Sequence, residues 1–141
     1  MLKKIPTLYS PALLATLYRM GHGDEIVLAD AHFPGYSMNE KVILADGLII
    51  TDLLDAILPL YALDNYVDDP IGMMQIVAGD EPDPSVESGC RSIIDKHSPD
   101  TPAIALIDSF DFYEHAKSAF AVVMTEDTRK YANIIIKKGV S

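Results

Sequence analysis

Glu25-Ile26-Val27-Leu28-Ala29-Asp30 is the stretch on which the fold turns: a short apolar run that ends in an acid. It reads as a buried strand with Asp30 at its carboxyl end. In open α/β sheets that edge is where ligand sites gather. Upstream, Ser10-Pro11 pairs a capping side chain with a proline suited to the first turn of a helix. Leu13, Leu14, Leu17 and Tyr18 then recur at helical spacing, and Gly21 is a plausible stop. Downstream, His32-Phe33-Pro34-Gly35-Tyr36-Ser37 reads as a loop. Val42-Ile43-Leu44-Ala45 follows as a second strand.

The alternation continues to the end of the chain. Thr51 or Asp52 can cap a helix that carries Leu53, Leu54, Ile57 and Leu58. Met73 to Ala78 reads as a strand, and Asp83-Pro84 opens a helix through Ile93 and Ile94 to about His97. Ala103 to Ile107 is a further strand, followed by a helix from Asp111 to Ser118. Two last strand runs, Ala121 to Met124 and Ala132 to Lys137, are separated by residues 125–129, a gap that suits a hairpin or a short connection. The pattern predicts an α/β fold: one domain over residues 1–141, with a mixed, mostly parallel central sheet covered by helices.

The formal net charge of -10 argues against nucleic acid, whose binding rests on Lys and Arg neutralising phosphates. It equally disfavours anionic membrane surfaces, and a neutral small molecule is the easier partner. No apolar run approaches the ~18 residues of a membrane span. The opening Met1-Leu2-Lys3-Lys4-Ile5-Pro6 lacks a secretory h-region, and the single Cys90 suits a reducing compartment, so the expected location is the cytoplasm. A mean hydropathy of +0.15 is high for a small monomer. It fits subunit interfaces, or simply a well-filled core.

The densest polar cluster is Gly21-His22-Gly23-Asp24-Glu25, just before the buried strand. A histidine between two glycines sits on permissive backbone with little bulk around it, and its imidazole can give and take protons near neutral pH. The same residues would also make a turn with a solvated histidine. Asp30 either caps the next segment or points into a cleft where it could accept hydrogen bonds from sugar hydroxyls. His22, Asp24 and His32 are all possible metal ligands, yet no His-x-x-x-His, Glu-rich helix or cysteine pair supports a metal site, and none is expected. No Gly-x-Ser-x-Gly elbow and no phosphate-binding glycine loop occurs, so no cofactor is expected. Tyr131-Ala132-Asn133 would, if extended, place a phenol and an amide on one face, where they could hold hydroxyls or bond to backbone.

The stretch from Met20 to Pro34 strongly resembles fucose mutarotases. So do Ala45-Asp46-Gly47-Leu48, Phe112-Tyr113-Glu114, and Tyr131-Ala132-Asn133-Ile134-Ile135 with Lys137-Lys138-Gly139-Val140 after it. Tyr131-Ala132-Asn133 is also similar to the ribose pyranase branch of that family. The resemblance implies a mutarotase that interconverts the anomers of a free monosaccharide, L-fucose first, by acid/base-catalysed ring opening. Pyranose/furanose interconversion and a non-catalytic sugar-binding module are the alternatives. It further implies a homo-oligomer, commonly a ring-shaped decamer, with the site between subunits. The family's catalytic histidine matches His22. Its sugar-binding positions match Asp30, Asp64, Tyr113, Tyr131 and Asn133. Ser109 stands where fucose mutarotases carry arginine and ribose pyranases histidine, which bears on the sugar preferred.

Overall fold

The computed structural model describes residues 1–141. The decisive stretch forms β1 (Glu25–Ala29), and four of its five residues are buried. It lies inside a six-stranded sheet with β2 (Val42–Ala45), β3 (Ile71–Met74), β4 (Ala105–Ile107), β5 (Ala121–Thr125) and β6 (Ile134–Lys137), in the order β2-β5-β1-β6-β3-β4. The β1–β5, β2–β5 and β3–β4 pairings are parallel; β6 runs antiparallel to both neighbours, β1 and β3. The expected mixed, mostly parallel sheet in a single domain is what forms.

The two-residue period of a strand divides the core. Ile26 and Leu28 point to one face, where α1 (Pro11–Arg19), α3 (Ile50–Ile57) and α4 (Pro84–His97) pack; Val27 and Ala29 point to the other, under Phe33 and α5 (Ser109–Ser118). Each fully buried Ile or Leu here contributes about 1.5–3 kcal/mol over its exposed state. Helices on both faces explain why β1 shows no polar alternation.

Several local expectations needed correction. Residues 125–129 are not a hairpin turn, because β1 lies between β5 and β6. Thr51 and Asp52 sit inside the first turn of α3, whose leading N–H, that of Ile50, donates to the carboxylate of Asp127 (3.1 Å). A cap supplied from 77 residues away leaves no local signature. Tyr18, placed on the apolar stripe of α1, is 90% exposed, while Leu13, Thr16 and Leu17 are buried. β3 starts and ends earlier than Met73 to Ala78, since its partner β6 begins at Ile134, opposite Met73. Gly35–Met38, read as loop, makes one helical turn, α2. The helix of Pro84–His97 falls where predicted, with Asp83 accepting from the Ser85 N–H (2.9 Å).

Candidate active site

β1 and β6 run in opposite directions, so the residues flanking them gather at the two ends of the sheet. At one end stand Asp30, following β1, and Asn133, preceding β6. The Asn133 amide oxygen accepts from the Asp30 N–H (2.8 Å), and its NH2 donates to the Asp30 carboxylate (3.1 Å). The other Asp30 oxygen accepts from the His32 N–H (2.9 Å). Burial pushes the Asp30 carboxyl above its ordinary range, against those hydrogen bonds and the nearby His32. It takes up a proton more readily than an exposed carboxylate, while retaining lone pairs for a ligand hydroxyl.

Asp30 and Asn133 share an open cleft of about 240 Å³ with His32, Tyr113, Tyr131 and Asp80. That is below the ~300–1,000 Å³ of drug-sized sites and suits a smaller ligand. Tyr131 and Asn133 do reach one space, but not by extended backbone: Tyr131 has φ +62°, and its carbonyl accepts from the Asn133 N–H (2.8 Å). Ser109 does not line the cleft. It opens α5 one helical turn before Tyr113, which does. A larger cavity, about 540 Å³, lies between α4 and the β3–β4 edge; it shares Met74, Lys130 and Tyr131 with the cleft but lacks the Asp30–Asn133 pair. The smaller cleft is therefore the better chemical candidate.

His22 and Asp64 lie at the opposite end. Gly23, at φ +87°, donates its N–H to the Lys138 carbonyl (2.8 Å), and the Gly21 N–H donates to Asp24 (2.8 Å), which fixes the turn that carries His22. His22 Nε2 lies 3.2 Å from Asp64 Oδ1, which also accepts from the Tyr66 N–H (3.0 Å); the Tyr66 ring packs 5.3 Å from the imidazole. The Tyr66 N–H, above all, and then His22 hold the Asp64 carboxyl below its ordinary range despite its burial. An ionised carboxylate only accepts, so it keeps a proton on Nε2 and leaves Nδ1 as the free base. The histidine side chain remains 45% exposed.

The two groups do not meet within one chain. At ~3.3 Å per residue, β1 carries the chain roughly 17 Å from Glu25 to Asp30, and His22 stands in the turn before that strand begins. Within one chain, His22 and Asp24 likewise stand before β1 and His32 after it, so these three do not gather. No three His, Cys, Asp or Glu side chains are grouped so as to hold an ion. Asp80, whose carboxylate accepts the Tyr131 O–H (2.8 Å), is a cleft residue that sequence reasoning missed. Nothing in the pattern links positions 51 residues apart.

The chain matches the RbsD / FucU transport protein family over residues 3–141. An L-fucose mutarotase of Haemophilus influenzae (strain PittGG) is 53% identical, over 100% of this chain and 98% of its own length. One from Actinobacillus pleuropneumoniae serotype 5b (strain L20) is 51% identical with the same coverage. Among solved structures, the fucose mutarotase of Streptococcus pneumoniae in complex with L-fucose superposes with a TM-score of 0.94. It has 50% identity and covers 99% of both chains.

Proposed function

Since the chain belongs to the RbsD / FucU family, we propose that it is an L-fucose mutarotase whose pocket is completed by a second copy of itself. One observation carries the second half of that reading: the acid–base pair His22–Asp64 and the clamp Asp30–Asn133 sit at opposite ends of β1. A hydrogen bond reaches ~3 Å, so no single monosaccharide touches both within a chain. Two copies that apply the His22 end of one to the cleft of the other bring them together. Repeated head to tail, such a contact closes into a ring where the rotation between copies allows it, and the ring-shaped decamer is the form the family resemblance implies.

The chemistry needs only proton movement. A base takes the proton of the anomeric hydroxyl while an acid protonates the ring oxygen; the bond from the anomeric carbon to that oxygen breaks and a carbonyl forms. Rotation and reclosure on the other face give the other anomer, with no change in oxidation state. In this scheme Nδ1 of His22 moves one proton. Asp30, with its raised pKa, is the second acid/base group that the sequence left unnamed. Asn133, Tyr131 and Tyr113 hold the sugar, and Ser109 adjusts which sugar is preferred. A buried lone cysteine suits the reducing cytoplasm.

Saturation-transfer NMR on anomeric protons tests the function. Irradiating one anomer of L-fucose is expected to transfer saturation to the other well above the buffer rate, with a chelator present. Exchange at the buffer rate with retained binding would make the protein a sugar-binding module instead. Loss of exchange on chelation would point to a metal.

A further inference from the structure

The loop of residues 75–83 between β3 and α4 leaves β3 beside the start of the neighbouring β6 and grips one side chain of the cleft. Val77 N–H donates to the Tyr131 phenol oxygen (3.3 Å), and the phenol O–H donates to Asp80 Oδ2 (2.8 Å). The loop is itself shaped for this. The Asp80 N–H closes a turn on the Val77 carbonyl (3.0 Å), with Gly79 between them at φ +87°. Asp80 Oδ1 accepts from its neighbour, the Glu81 N–H (3.0 Å), and from Lys130 Nζ (3.0 Å). Tyr131 meanwhile sits at φ +62°, a conformation that non-glycine residues hold only where surroundings impose it.

A phenol has one proton to donate and two lone pairs to accept with. Here the proton goes to Asp80 and one lone pair to Val77, so what remains is a single acceptor site in the cleft. Resting on the mutarotase reading, we infer that Asp80 is a positioning residue for sugar binding: it orients the Tyr131 phenol as an acceptor for one substrate hydroxyl. Asp80 acts through Tyr131. It is expected to serve binding of the ground state as much as the transition state, because the phenol, its proton committed to Asp80, exchanges no proton with the sugar. The expected signature is a change in KM with kcat preserved.

The test is a double-mutant cycle on Asp80→Ala and Tyr131→Phe, read by L-fucose anomer exchange and by calorimetric binding of L-fucose. In the wild-type background Asp80→Ala is expected to raise KM and the dissociation constant about ten-fold, with kcat within about three-fold. In the Tyr131→Phe background the same change is expected to add less than about two-fold, since the phenol it orients is gone. Asp80→Asn, which keeps the shape but lets an amide N–H face the phenol, is expected to behave like Asp80→Ala. An equal effect in both backgrounds would overturn the inference, as would a fall in kcat at constant KM. Binding is measured apart from exchange. A wild type that binds L-fucose without exchanging its anomers therefore refutes the mutarotase reading and leaves the Asp80 coupling measurable.

Discussion

Two inactive variants, mixed, are expected to make an active enzyme. His22→Ala removes the proton-transferring group and is expected to slow anomer exchange by roughly 10²–10⁴-fold. Asp30→Ala removes the second acid/base group of the scheme, at the other end of β1, and is likewise expected to slow exchange by roughly 10²–10⁴-fold. In a pocket built within one chain, mixing the two restores nothing. In a pocket shared by two subunits, the arithmetic differs. With equal amounts and random assembly, the His22 half of a given pocket is intact with one chance in two. The cleft half, from the neighbour, is intact with the same chance. Both halves are intact in roughly one pocket in four, so activity recovers to about a quarter of wild type.

The roughly 17 Å of strand between the turn that carries His22 and Asp30 is what makes the prediction sharp, because no side-chain rotation spans it. The assay co-expresses the two variants, confirms mixed oligomers by native mass spectrometry, and measures saturation transfer between L-fucose anomers. Confirmed mixed oligomers with no more exchange than either parent would refute the shared pocket.

Three further outcomes follow from particular contacts. Asp127 is fully buried, caps α3 through the Ile50 N–H, and holds the Arg129 guanidinium at 2.9 and 2.7 Å. Asp127→Ala is expected to cost about 3 kcal/mol in urea unfolding at pH 7 and fixed protein concentration. Burial alone would raise this carboxyl's pKa, but hydrogen bonds from Arg129 and the Ile50 N–H outweigh it and hold it below its ordinary range. Its charge therefore stabilises the fold above about pH 4, and the wild-type advantage should shrink as pH falls below that; a gap unchanged down to pH 3 would contradict this account. Gly139→Ala would drive a methyl into the backbone at Leu63 and Asp64, so a loss of about 1–3 kcal/mol with reduced exchange is expected, checked by melting and NMR together. Ser109→Arg puts a long cation one helical turn from Tyr113 and is expected to change the exchange-rate ratios among L-fucose, D-galactose and D-ribose; identical ratios would show that this position does not select the sugar.

Much of the fold was legible because its signals are local. Ser10-Pro11 and Asp83-Pro84 carry their helix starts in adjacent residues, and the apolar run of β1 has no other comfortable place than between two helical layers. Single candidates for the site were legible in the same way. His22 stands out between glycines, and Asp30 ends the buried run. Both signals concern what a residue is and what sits beside it.

The tertiary structure alone decided how those parts combine. The insertion of β1 between β5 and β6 and the capping of α3 by Asp127 depend on contacts between distant segments, as does the Asp80–Tyr131 bond. A linear pattern records periodicity and neighbours, while such pairings are chosen by which surfaces can be buried and which polar groups satisfied at the same time. The division of the candidate site has the same origin. Eight positions separate His22 from Asp30 in the chain, and only extension of the intervening residues as a strand turns that short spacing into opposite ends of a sheet.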